Sequence, residues 1–189
     1  MESRKLLELM SLAEKLKNTT RHSWTSSGRQ ESVAEHSWRL AFMAFFMKDE
    51  FPEVDMEKVI LMCLFHDLGE AVTGDIPTFN KTKNDEITEN KEIQYFLNTL
   101  PKMYKDELAP LFKEMDEQLT LEAKLYKALD KLEVLIQHNE SDLSTWIPLE
   151  YELNLTHGDK EVAFSDYLKG LRKIIKEDTV KKIEEEKNL

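Results

Sequence analysis

The chain has 189 residues and a formal net charge of −11 at pH 7. That length suffices for one domain with a sizeable core. The acidic balance argues against wrapping a nucleic acid polymer, whose phosphates need Lys and Arg counter-charge, although a small anionic substrate stays open.

Leu6, Leu9, Met10, Ala13 and Leu16 recur at helical spacing and predict a first amphipathic helix. Residues 18–31, NTTRHSWTSSGRQE, are polar with a Gly and read as a loop. Ser32 to Glu35, SVAE, is a capping box that opens a helix expected to run through about Phe51. Asp55 caps a further helix carrying Val59, Ile60, Met62 and Cys63 towards His66. That helix should fray near Gly69, leaving GDIPT as a loop. Residues 84–99 and 105–117 read as polar-faced helices, and 121–138 is the most periodic segment of the chain. Residues 145–157 carry no clear pattern. A last helix is expected from about Asp159, kinked near Gly170. No strand pair emerges. The expected fold is an all-α, single-domain helical bundle over residues 1–189, with its motif core at about 32–140. A lone cysteine, Cys63, a charged N-terminal stretch and the lack of a membrane-length apolar run predict a cytoplasmic protein that enters no membrane.

FHDLGEAVTGD, residues 65–75, sets one histidine and three carboxylates within eleven positions. His66 follows Val59 and Met62 on one helix face, and His36 shares a stripe with Val33, Leu40, Met43 and Met47. Each histidine taken alone is better explained by a hydrogen-bonded place in the core than as a ligand. Asp130 lies opposite the Leu121, Leu125, Leu129, Leu132 and Leu135 face, among Ala123, Tyr126 and Val134. An unpaired buried carboxylate is costly, so Asp130 needs a cation, either a metal or a nearby Lys or Arg. Lys124, Lys127 and Lys131 read as a separate solvated stripe. Together His36, His66, Asp67 and Asp130 form a two-imidazole, two-carboxylate set suited to one divalent ion of the Mn, Co, Fe, Ni, Zn or Mg group. Such a set with open positions is the layout of metal-assisted hydrolysis. Glu70, four residues after His66 on what reads as the same helix face, is placed to accept a proton from the attacking water. Asp75 could orient that water or protonate a leaving oxygen. The plainer reading of Glu70 is an exposed carboxylate at a helix end.

The three segments ESVAEHSW, FHDLGEAVTGDIPT and ALDKLE together resemble the HD-domain metal-dependent phosphohydrolases, and within them the branch of 5'-deoxynucleotidases acting on nucleoside monophosphates. The ordered set H…HD…D, with a Glu three residues after the HD pair and GDIP following, carries the resemblance, which spans roughly residues 5–140. It implies metal ligation by His36, His66, Asp67 and Asp130, catalysis by Glu70 and Asp75, and a homodimer. It also implies an Arg and a Trp upstream of the first ligand, for phosphate and for the sugar 2' position. Here RHSW supplies Arg21 and Trp24, separated rather than adjacent, and Arg29 competes for the phosphate. Arg21, Trp24, Arg29 and Thr78 are therefore the candidate substrate contacts, with Trp24 equally readable as a plug packing the loop onto the bundle. The expected activity is removal of the 5'-phosphate from nucleoside, foremost deoxynucleoside, monophosphates. Other HD-family nucleotide hydrolysis and a non-catalytic nucleotide-binding module are the alternatives.

Overall fold

The computed structural model describes residues 1–77 and 79–187. Helix α1 (Ser3–Asn18) leads into a short antiparallel hairpin, β1 (Thr20–Trp24) and β2 (Gln30–Ser32). Then follow α2 (Val33–Phe45), α3 (Met56–Phe65), the single-turn α4 (Glu70–Thr73), α5 (Lys83–Thr99) and α6 (Lys102–Glu117). The long α7 (Leu121–Glu140), a 3-10 turn at Leu143–Thr145, α8 (Glu150–Thr156) and α9 (Asp166–Lys187) complete the described fold. The architecture is all-α apart from the hairpin.

The helix starts are written in short polar caps. Ser32 accepts the Glu35 backbone N–H at 3.2 Å while the Glu35 carboxylate accepts the Ser32 N–H at 2.8 Å, closing the expected capping box. Asp55 caps α3 through the Lys58 N–H at 3.1 Å. Thr120 does the same for α7 through Ala123 at 3.2 Å. Loss of such a cap costs about 1 kcal/mol.

Helix α7 runs through the middle, packing against α2, α3 and α9, while α2 lies along α3. Val33, Leu40 and Ala44 of α2, Val59 and Met62 of α3 and Leu125, Leu129 and Leu132 of α7 are fully buried there. Each buried aliphatic side chain of Val or Leu size contributes about 1.5–3 kcal/mol. The core thereby fixes which helix faces meet, and the functional residues sit among these same faces.

Several boundaries differ from the sequence reading; α3 ends at Phe65, short of Gly69, and α6 begins at Lys102 rather than at residue 105. The stretch expected as a loop contains the β1–β2 hairpin. Its residues are polar and its strands short, so there was no apolar alternation to read. It is held by backbone pairing of Thr20 with Ser32 and Trp24 with Gln30, and by the Thr25 N–H donating to the Arg29 carbonyl at 2.8 Å. Helix α2 ends at Phe45, not near Phe51. Met47 and Phe51 still face the core from successive turns, so the apolar period outlives the helix, and Pro52 disfavours helical backbone at Phe51. Helix α9 begins at Asp166 rather than Asp159, where the Ser165 hydroxyl accepts the Leu168 N–H at 3.3 Å. It continues through Gly170.

Candidate metal centre and substrate cavity

Three helices bring the predicted ligands together. His36 lies on α2 between Val33 and Leu40, whose burial turns its ring fully inward. His66 is the residue at which α3 ends, and Asp67 follows it into the turn. Asp130 lies on the inner side of α7. His36, His66 and Asp67 present ligand atoms that all lie within 4.8 Å of one another. The His66 Nε2 is 2.9 Å from Asp67 Oδ2, and the His36 Nε2 is 3.9 Å from the same oxygen. Asp130 Oδ1 approaches from α7, 3.4 Å from His36 Nε2 and 3.9 Å from His66 Nε2, beyond the three-residue group.

The outer side of each ring decides what its inner nitrogen does. His66 Nδ1 donates to the Cys63 carbonyl at 2.9 Å, and His36 Nδ1 donates to Glu133 Oε2 at 2.5 Å. With a proton on each Nδ1, each Nε2 turns a lone pair towards the carboxylates. Both Nε2 atoms are buried without a hydrogen-bond partner among the described residues. Lone pairs facing carboxylates in a buried site call for a cation, and imidazole nitrogens with carboxylate oxygens are a fitting donor set for a divalent transition metal. The residues present fit such an ion. In its absence a proton takes part of that place. Burial and nearby Arg21 pull the His36 imidazole down, but Glu133 and Asp130 carry it up to about 9. Burial opposes ionisation of Asp67 as well, yet His66, His36 and Arg21 hold its carboxyl well below the usual range.

The lysine reading of Asp130's need for a cation is the one its ion pairs meet. Besides facing the imidazoles, its Oδ2 pairs with Lys127 at 3.0 Å and Lys131 at 3.4 Å. Those lysines are thus not a solvated stripe. They fold back on Asp130 and line a cavity of about 300 Å³ that opens beside the cluster. A cavity of that size is in the range of small-molecule sites.

Glu70 and Asp75 both line the cavity. Glu70 does not share a helix with His66, since α3 stops at Phe65 and Glu70 begins α4. The intervening turn brings it alongside, its N–H donating to the Asp67 carbonyl at 3.0 Å. A Cβ at Gly69 would stand 3.2 Å from Glu89 of α5, so this turn is pressed close against that helix. Glu70 is buried, not the exposed carboxylate of the plainer reading. Burial and the charges of Asp67 and Asp75 push its carboxyl up to about 10. Asp75 follows Gly74, whose φ of 78° sets the turn, and accepts the His22 backbone N–H at 3.3 Å.

Of the candidate substrate contacts, Arg21 alone lines the cavity among the described residues, held by Glu31 at 3.3 Å and Asp67 at 3.4 Å. Arg29 lies on the exposed hairpin and forks onto Glu35 at 2.6 and 2.9 Å. Trp24 is half-buried and its carbonyl accepts the Gln137 amide at 2.6 Å; its ring is not part of the cavity wall. Thr78 lies outside the described residues. Sequence reasoning passed over Glu133, although its place three residues after Asp130 in ALDKLE put it on the same helix face. It also passed over Glu31, although ESVAEHSW contains it, and over His138, Glu150 and Asn154, for which no local motif gave a signal.

Residues 13–172 match the HD domain. The chain belongs to the HD-domain family. It is 32% identical over 142 residues to the 5'-deoxynucleotidase HDDC2 of Homo sapiens, covering 73% of this chain and 69% of that protein. The Dictyostelium discoideum HDDC2 is 33% identical over 144 residues, covering 71% and 76%. Among solved structures, a predicted metal-dependent phosphohydrolase from Magnetospirillum magnetotacticum MS-1 superposes with a TM-score of 0.76 at 28% identity, covering 94% of this chain and 96% of that one. No helix among the described residues is long and apolar enough to cross a membrane.

Proposed function

We propose that this HD-domain protein removes the 5'-phosphate from nucleoside monophosphates, deoxynucleotides foremost, with one divalent cation held by His36, His66, Asp67 and Asp130. The observation that carries this reading is the pair of buried, unpartnered imidazole nitrogens facing Asp67 and Asp130 at the wall of a cavity that Arg21 also lines. A divalent ion there supplies Lewis-acid polarisation of a phosphate oxygen and eases ionisation of the attacking water.

The remaining work falls to the protein's own side chains. Arg21 offers a planar fork to the phosphate oxygens, and its guanidinium, though buried, is held firmly charged by Asp67, Glu133 and Glu31. Glu70 takes the proton from the water whose oxygen attacks phosphorus. Burial and the charges of Asp67 and Asp75 keep the Glu70 carboxyl protonated in the metal-free protein; a cation held beside Asp67 would offset the charge part and draw Glu70 towards that acceptor role. As the bond between phosphorus and the 5' oxygen breaks, the proton taken up at Glu70 passes by way of the Asp75 carboxylate to the departing alcohol, so both carboxyls end as they began. Lys127 and Lys131 add positive charge along the wall. The names of the HDDC2 relatives support the deoxynucleotide as substrate, and the assembly proposed is a cytoplasmic homodimer.

Phosphate release from ribo- and deoxyribonucleoside monophosphates, measured with Mn, Co, Mg and chelator, tests the reading. Turnover that needs a divalent ion and favours the deoxy series is expected. Equal turnover in excess chelator would refute the metal-dependent mechanism.

A further inference from the structure

The cavity has a second end that the phosphate chemistry does not use. Ser23, two residues beyond Arg21 on β1, lies about 7 Å further along the strand. His138, eight residues beyond Asp130 on α7, lies about 12 Å further along the helix. These and α8 close the far end, at about the distance that separates the phosphate of a nucleotide from its base.

That end is polar and unevenly satisfied. Asn154 is almost wholly buried, and its Oδ1 accepts from His138 Nδ1 at 2.9 Å. Its backbone carbonyl is held by Arg172 at 3.1 Å, and its Nδ2 is buried without a partner among the described residues. Because His138 carries its proton on Nδ1, its Nε2 accepts the Ser23 hydroxyl at 3.3 Å and has no proton to give to Glu150. Glu150 Oε2 accepts the Ile147 N–H at 2.8 Å, and its Oε1 lies 3.4 Å from that His138 nitrogen and 3.2 Å from His22 Nε2. The His22 nitrogen is itself buried and unpartnered. A free donor, Asn154, and a carboxylate acceptor, Glu150, four residues apart on α8, thus both line the cavity, whose wall also includes Pro77, Phe79, Val134 and Leu153.

We infer that this end is a nucleobase subsite, with Asn154 Nδ2 donating to and Glu150 Oε1 accepting from the hydrogen-bonding edge of the base. The inference rests on the nucleotidase reading above and adds how the substrate's other half is held. A flat heterocycle offers an acceptor and an N–H donor side by side along one edge, and apolar faces to the flanking side chains. A second phosphate would instead meet the Glu150 carboxylate, so this end favours monophosphates over substrates extended by further phosphates. A bare sugar has neither the flat faces nor the paired edge. The subsite also gives the C-terminal quarter of the chain a function, since Glu150 and Asn154 both lie in it.

Binding of free 2'-deoxynucleosides, which carry no phosphate, tests the subsite apart from hydrolysis, with inorganic phosphate as the probe of the opposite end. Calorimetry on the Mn-loaded protein should give saturable nucleoside binding. Asn154→Asp keeps the oxygen that pairs with His138 and removes the donor; it should weaken nucleosides by roughly 10-fold or more while phosphate binding holds. Glu150→Gln, which retains the Ile147 contact, should change the order of affinity among the four bases. Asn154→Ala is expected to follow Asn154→Asp, and if it fails to fold the other two variants decide. No saturable nucleoside binding by the wild type, or unaltered affinities and base order in both conservative variants, overturns the subsite. Nucleoside binding without any phosphate release would overturn the nucleotidase reading and leave the subsite standing.

Discussion

Glu133→Gln isolates what lies behind the metal site. Glu133 is fully buried, its Oε2 2.5 Å from His36 Nδ1 and its Oε1 3.5 Å from Arg39 Nε. Glutamine fills nearly the same volume, so packing is preserved and only charge and hydrogen-bond polarity change. A charge-assisted bond becomes a neutral one about half as strong. The lost carboxylate also lowers the basicity of the ring, and if the new amide turns its NH2 towards Nδ1 the imidazole proton moves to Nε2 and the inward lone pair is lost. Removing such an outer partner of a histidine ligand typically costs 10–100-fold in metal affinity, or about 1.4–2.7 kcal/mol. The metal-free protein should also lose about 1–3 kcal/mol, because a buried hydrogen bond is weakened and Arg39 and Arg21 lose a counter-charge. For a chain of this length each kcal/mol lowers Tm by about 2–4 °C. Chelator competition gives the Mn affinity, and melts in EDTA give the stability. An affinity within twofold of wild type would refute the role of Glu133, provided that His36→Ala in the same assay loses the metal.

The ligands come from α2, the end of α3 and α7, so metal binding and folding are linked: Asp67→Ala and His66→Ala should lose the metal and melt at one temperature with or without chelator, unlike the wild type. Glu70→Ala should keep its metal and lose turnover by about 10²–10⁴-fold; near-normal activity in the metal-replete variant would remove Glu70 from the mechanism. Arg21→Lys should fold normally but show a clear loss in kcat/KM, because an ammonium cannot reproduce the two-pronged contact. In the metal-free protein, His36 is carried up to about 9 and Glu70 to about 10, so between pH 6.5 and 9 the folded chain holds protons that the unfolded chain has released. Each such proton makes stability fall as pH rises, by up to about 1.4 kcal/mol per pH unit. The depressed carboxyls of Asp67 and Asp130 lose their contribution only in acid and leave this window alone. Tm in EDTA should therefore drop from pH 6.5 to 9; a flat or rising profile would refute the assignment.

What the sequence disclosed and withheld follows from how local each signal is. His36, His66 and Asp130 were legible because a polar residue at a core-facing position of a periodic helix breaks an apolar pattern that can be counted. Ser32, Glu35 and Asp55 were legible because a cap involves residues only three apart. The β1–β2 hairpin was not, since strands of Thr, Arg, His and Ser owe their pairing to backbone groups and to packing against α7. Lys127 and Lys131 looked solvated because their helix angle was judged against the leucine face alone; it is Asp130 beside them that draws both inward. The far end of the cavity joins Ser23 to His138 across 115 residues of sequence, and no spacing rule reaches that far. The HD-domain motifs narrowed the chemistry, but the tautomers that aim both lone pairs inward needed the Cys63 carbonyl and Glu133 in place.

An acidic chain acting on an anionic substrate looks self-defeating, and the cavity wall removes the difficulty. At 0.15 M salt, charges more than about 8 Å apart on the surface are largely screened, so the net charge of −11 has little reach into the site. Within it stand Arg21, Lys81, Lys127 and Lys131 against Asp67, Glu70, Asp75, Asp130 and Glu150. In the metal-free protein Glu70 keeps its proton, so the other four carboxylates offset these four cations and the bare wall offers phosphate no net positive charge. One divalent ion tips it positive, at the end where Asp67 and Arg21 meet, and leaves Glu150 as the negative pole at the other. The substrate described by that gradient carries its charge at one end and a hydrogen-bonding, uncharged ring at the other. Metal and phosphate affinity are therefore one coupled quantity here, because the carboxylates that bind the first are those that cancel the wall's Arg and Lys charges when the first is missing.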